Sequence, residues 1–223
     1  MYEQKIMPKY FSIILLITTL LPACKNEEKP QPEKQLPYYN TADFTPQWIV
    51  GGAAKKAAFH TIPPFSFTDQ NGKTITEKTT DGKIYVANFF FTRCPGICPK
   101  LTKNLSLVQD AVKDDTAVLL ISHSVTPESD SVARLLRYAN ENNIITGKWH
   151  LLTGNRDSIY TLARQSYFAD EDLGQQKDAS DFLHTENMLL IDKHKHIRGI
   201  YKGTSETEMK NLIADIRLLE KER

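Results

Sequence analysis

Residues Lys83 to Phe91 read KIYVANFFF, an apolar run without alternation, and Thr92-Arg93-Cys94-Pro95-Gly96-Ile97-Cys98-Pro99 follows at once. Such a run, bounded by turn residues, is what a strand buried on both faces needs, and strands of that kind lie in sheets covered by helices. From Pro99 onward Leu101, Leu105, Val108 and Val112 recur at helical spacing, so strand hands over to helix. The alternation continues. Ala117–Ile121 predicts a strand, and Ser129–Asn143 a helix with Val132, Leu135, Leu136 and Ala139 on one face. Leu151 and Leu152 end a short strand, and Asn155 caps a helix containing Ile159, Leu162 and Ala163.

Asn187–Asp192 and His196–Tyr201 pair across Lys193-His194-Lys195, and Ser205-x-x-Glu208 is a capping box opening a last helix with Met209, Leu212, Ile213 and Ile216 inward. Upstream, Phe65–Thr68 and Lys73–Thr76 flank Asp69-Gln70-Asn71-Gly72, a hairpin signal. The sum predicts an α/β sandwich: a central mixed β-sheet flanked by helices, with an N-terminal hairpin. At 223 residues the chain is long enough for one well-buried core.

The cysteine loop sits where an open α/β sheet usually carries its chemistry, at the end of a buried strand. A residue before proline avoids the α region, so Cys94 and Cys98 are expected on a loop, with Cys98 near the N-cap and Pro99 at the first helical position. Gly96 is expected to supply the bend that brings the sulfurs together. A thiol near a helix N-terminus is favoured as thiolate, and two close thiolates can bind a soft metal or close a disulfide. A purely structural disulfide over so short a loop is worth only about 2 kcal/mol before strain, little help to a domain of this size.

The N-terminus reads as an address. Lys5 and Lys9 precede the apolar run Phe11–Leu21, and Leu21-Pro22-Ala23-Cys24 follows, similar to a bacterial lipobox. Residues 1–23 are therefore expected to be a lipoprotein signal peptide, with Cys24 lipidated. Residues 24–46, rich in proline and charge, are expected to be a flexible tether, and 47–223 the folded domain. Lysine plus arginine number 28 and aspartate plus glutamate 27, a balance that offers no nucleic-acid surface. The expected location is the extracytoplasmic face of a cell membrane, held by lipid, where disulfides form.

The order of motifs carries a resemblance. Thr92 to Pro99 (T-x-C-P-x-x-C-P), Ser124-Val-Thr-Pro-Glu-Ser-Asp130, Trp149-His-Leu-Leu-Thr-Gly154, and Phe182-Leu-His184 ahead of Met188–Asp192 resemble the Sco/SenC family over roughly residues 60 to 220. That family consists of thioredoxin-like copper chaperones for cytochrome c oxidase assembly. The resemblance implies a thioredoxin-like fold and copper ligation by Cys94, Cys98 and His184. It also implies as partner a copper-accepting oxidase subunit with a copper A site, or another exported cuproprotein. Thiolates suit Cu(I) and imidazole suits copper in either state; Cu(II) would take a further ligand. The chain departs from the family pattern at Gly96, Thr126 and Leu183, where aspartates are common.

The alternative function is a thiol–disulfide oxidoreductase in which Cys94 and Cys98 form the redox pair and reduce cysteines of an exported partner. Three residues separate the cysteines and no proline follows Pro127, which departs from ordinary thioredoxins. Structural zinc would need a fourth ligand. His60, His150, His194 and His196 read as solvated or hydrogen-bonded, with a weak metal site possible at the last pair; His123, just past a strand, is a minor candidate for the active edge. Phe168 to Leu183 reads as a surface loop or as a flap that moves His184. Phe89–Phe91 and Trp149 read as core, and Arg93 as solvated or as a group acting on Cys94.

Overall fold

A computed structural model describes residues 35–48, 59–169 and 185–222. Nine strands form one mixed sheet: β1 (Tyr38–Tyr39), β2 (Pro46–Gln47), β3 (Ser66–Asp69), β4 (Thr74–Thr76), β5 (Ile84–Phe90), β6 (Val118–Ser124), β7 (Trp149–Thr153), β8 (Asn187–Ile191) and β9 (Ile197–Lys202), in the order β2-β1-β9-β8-β5-β6-β7-β3-β4. β5, β6 and β7 run parallel, and every other pairing is antiparallel. The parallel core follows from sequence: all residues of β5, β6 and β7 are buried, as expected for strands covered on both faces.

Period-two alternation divides the strands between two cores. Ile84, Val86, Phe90, Val118, Leu120 and Leu151 face α1 (Cys98–Val112), α2 (Val132–Glu141) and α4 (Glu206–Lys221). Tyr85, Ala87, Phe89, Leu119, Ile121 and Leu152 face α3 (Arg156–Thr161), the π-helical turn Leu162–Ser166 after it, and Ile62, Phe65 and Phe67. Several polar groups inside are paired. Trp149 Nε1 donates to Ser122 Oγ at 2.8 Å, and Ser122 Oγ donates to Asn88 Oδ1 at 2.5 Å. His150 Nδ1 meets Asp69 Oδ2 at 3.0 Å beneath the β3–β4 hairpin.

Several expectations shift. α2 begins at Val132 behind an Ser131 cap, not at Ser129, and only Leu135 and Ala139 of it are buried; Leu136 stands in solvent because Tyr138 takes the inward place against Phe90. Asn155 and Ser205 cap their helices as expected, accepting from Ser158 and Glu208 N–H. β6 runs on to Ser124, three residues past Ile121.

The sheet also reaches back into the stretch read as tether. Arg198 on β9 is buried and donates to the carbonyls of Leu36 (2.8 Å) and Pro37 (3.0 Å), stacks 4.0 Å over the Tyr38 ring, and pairs with both carboxylate oxygens of Glu222. Asp192 joins the same group through Arg198 and His196. That cluster fixes β1 against β9, so residues 36–47 have a place on the domain. The signal segment, Cys24 and the tether up to residue 34 lie outside the described residues; among those described, no helix is long and apolar enough to cross a membrane.

Candidate metal centre

β5 ends at Phe90, and the chain turns so that Cys94 N–H reaches Phe91 O at 3.4 Å. Four residues later α1 starts at Cys98, with Ile97 in the cap position and Pro99 in the second helical place. The start is one residue earlier than the proline rule predicts, because Ile97 adopts α geometry and its carbonyl accepts from Leu101 N–H at 2.9 Å. Gly96 makes no special demand either. Its φ is not positive, and a Cβ there would meet only Cys94 Sγ at 3.9 Å, ordinary contact. The bend comes from the turn at Thr92-Arg93, not from glycine freedom.

Both cysteines are free thiols in hydrogen-bond contact; Cys94 is half-buried and Cys98 is buried at 4% exposure against Phe90 and Leu101. Burial pushes the Cys98 thiol up to about 12, and the neighbouring Cys94 and Asp130 push the same way. Burial would also raise Cys94, but the backbone of Cys98, the Cys98 thiol and the backbones of Gly96 and Ile97 outweigh it and hold this thiol below its ordinary range. These leading contributions are local; Arg93 is exposed. The pair therefore consists of a half-buried sulfur held below the ordinary thiol range and a buried sulfur pushed above it.

Sequence reading missed the support under this loop. Asp130, fully buried, accepts from the Thr92 backbone and hydroxyl, and Tyr138 stands over the pair, hydrogen-bonded to Thr102 at 2.7 Å. A serine-to-aspartate motif trailing a buried strand was the available signal.

His123 does not join the cysteines. It pairs in register with Phe89 while Ser124 pairs with Phe90, so its ring enters the opposite core, among Phe65, Phe67, Phe89 and Tyr167. Neither ring nitrogen has a partner, and burial alone drives its pKa down to about 3. His196 is not a surface ligand: it is buried on Asp192 while His194 stays in the turn. His60 is satisfied by Ser166 O at 2.7 Å.

His184 and residues 170–183 lie outside the described residues. β8 pairs antiparallel with β5 (Ala87 opposite Leu189), which brings the start of β8 to the level where β5 ends and the cysteine loop begins. Glu186 O accepts from Gly203 N–H at 2.9 Å, and Asn104 of α1 donates to Gly203 O at 2.7 Å. Among the described residues no three His, Cys, Asp or Glu side chains form a metal cluster.

Compared with known proteins, residues 53–219 match the family described as SCO1/SenC. This chain belongs to the SCO1/SenC family. A SCO1 protein homolog of Bacillus subtilis is 27% identical over 75% of this chain and 86% of its own. A SCO1/SenC family lipoprotein from Bacillus anthracis superposes with TM-score 0.64 at 29% identity, over 76% of this chain and 100% of that one. Bradyrhizobium japonicum ScoI, solved with copper bound, gives 0.56 at 27% identity over 71% and 99%. BsSco, described as having a disulfide switch and as a member of the Sco family of cytochrome c oxidase assembly proteins, shares the fold at TM-score 0.61 and 24% identity over 74% and 95%. The thioredoxin-like α/β fold expected of a SCO1/SenC protein is the one observed.

Proposed function

We propose that this SCO1/SenC protein holds copper between Cys94, Cys98 and His184 and supplies it to, or prepares, the copper A site of a cytochrome c oxidase subunit. The observation that carries this is the pair of free, touching thiols at the strand-to-helix turn. Soft sulfur donors suit Cu(I), and the contacts around Cys94 hold its thiol below the ordinary range. The register that carries the start of β8 to the end of β5 supports His184 as third ligand, and the copper-bound relative supports copper as the metal. In this reading copper is cargo. The chain supplies two sulfurs, one of them half-exposed, from which a partner can take the ion.

The same proposal puts the protein on the extracytoplasmic side of a membrane through lipid on Cys24, and the Leu21-Pro22-Ala23-Cys24 pattern supports it. A relative described as a lipoprotein supports this. Loss of membrane association in Cys24→Ser tests it.

The division of the cysteines into one acidic and one buried thiol also favours a second reading, dithiol exchange with cysteines of an exported partner, in which Cys94 attacks and Cys98 resolves. An anaerobic Cu(I) titration of the reduced protein separates the two. One tight copper per chain, weakened at least tenfold in Cys94→Ser, Cys98→Ser and His184→Ala, supports the copper proposal. No tight binding, together with ready exchange of the Cys94–Cys98 pair with small thiols, would replace it with the reductase.

A further inference from the structure

The motif Ser124–Asp130 ends in a carboxylate that reaches back to the cysteine loop. Asp130 is fully buried and takes four donors: Thr92 N–H at 3.2 Å, Thr92 Oγ1 at 2.6 Å, Ser124 Oγ at 2.6 Å and Thr126 Oγ1 at 3.2 Å. Ser129 and Asp130 N–H both bond to Thr126 O at 2.9 Å, folding this loop so that the carboxylate points inward. Arg134 Nε then donates to Thr92 Oγ1 at 2.7 Å. Thr92 is thus gripped at its backbone and on both sides of its hydroxyl. It is the first residue of the turn that Cys94 N–H closes on Phe91 O. A buried carboxylate is costly to fold unless its donors are all in place, and here every one is a neighbour of this loop.

We propose that Asp130, acting through Thr92, is the positioning residue that holds Cys94 within reach of Cys98. This rests on the proposed use of the two thiols, but not on which task they serve, since copper holding and dithiol exchange both need the sulfurs in register. Loosening the Thr92 corner lowers the effective concentration of one sulfur toward the other.

The test uses the whole chain with three variants. Asp130→Asn replaces an acceptor by an amide that faces donors. Thr92→Val keeps the shape and removes the relay hydroxyl. Ser124→Ala removes one of the donors to Asp130 Oδ2 and leaves the Thr92 hydroxyl on Oδ1. For each, the unfolding midpoint, the Cys94–Cys98 dithiol–disulfide equilibrium in glutathione buffers and the Cu(I) affinity are measured. Asp130→Asn and Thr92→Val are each expected to lower the disulfide equilibrium constant tenfold or more, about 30 mV for this two-electron couple. Ser124→Ala is expected to stay within twofold, and the Asp130→Asn/Thr92→Val double variant to add nothing beyond the larger single effect.

The proposal fails if Asp130→Asn and Thr92→Val stay within twofold of the parent, or move no further than Ser124→Ala at matched stability. If Asp130→Asn does not fold, Thr92→Val decides alone. A parent that takes no copper while its thiol equilibrium still follows Asp130 and Thr92 would remove the copper reading and support the positioning.

Discussion

At Cys94 the sulfur is met by backbone and by the Cys98 thiol, while Cys98 lies under Phe90 and Leu101 in a dry core. Alkylation of the reduced protein near neutral pH should therefore fall almost wholly on Cys94, and Cys94→Ser should abolish the fast phase that Cys98→Ser keeps; mass mapping of the labelled peptide reads this. Copper binding has to strip the proton from Cys98, whose thiol sits at about 12. Cu(I) affinity should then rise at least tenfold per pH unit between about pH 6.5 and 8.5, one proton released per ion bound, in competition with a coloured Cu(I) chelator. Gly96→Ala should change stability by less than about 0.5 kcal/mol, since its Cβ meets only Cys94 Sγ at 3.9 Å. The cysteines themselves were legible from spacing and prolines alone. Their unequal ionisation was not, because it depends on which sulfur the helix buries, and the reading of Gly96 as the bend failed because the turn is made upstream, at Thr92-Arg93.

Strand and helix identities were mostly readable because the parallel core writes itself as unbroken apolar runs, and because Asn155 and Ser205 carry their caps in sequence. α2 was placed early since Ser129 and Ser131 are equally good caps by type, and only the loop that aims Asp130 decides between them. Gly203 could not have been singled out from sequence. It is the contact between β9's end, the start of β8 and α1: a Cβ there would sit 2.7 Å from Leu101 Cδ2 and 2.8 Å from Glu186 O and Met188 Cε. Backbone and a packed core side chain cannot all give way. Gly203→Ala should cost about 1–3 kcal/mol in denaturant unfolding. It should also weaken Cu(I) binding, because it pushes α1, which carries Cys98, away from the start of β8. Unchanged copper affinity in a clearly destabilised Gly203→Ala protein would separate the site from this junction.

Across the whole molecule, the sheet divides its chemistry: thiols and their aspartate on one face, a partnerless imidazole on the other. Unfolded, His123 would titrate near the ordinary value of about 6.5; folded, it resists protonation down to about 3. Its folded pKa is depressed, so the unfolded chain gains a proton first and stability falls as pH drops below about 6.5, by up to roughly 1.4 kcal/mol per unit. Burial would raise Asp192, but the His196 ring and backbone hold it below the usual carboxylate range, so its share is lost only nearer pH 4. Denaturant unfolding between pH 4.5 and 7 should show the His123 slope, and His123→Phe should flatten it. The strand reading pointed to His123's position but not its face, which one-residue register alone decides. The Arg198 cluster has a further consequence for how the sheet meets its surroundings. By seating Leu36 to Tyr39 along β9, it covers a row of backbone donors and acceptors that would otherwise invite another strand, and leaves two-residue β2 as a blunt border. A soluble fragment cut at Gln47 should therefore self-associate with rising concentration in size-exclusion runs, whereas one cut before Leu36 should not. The last residues of the leash insulate the domain from its own copies.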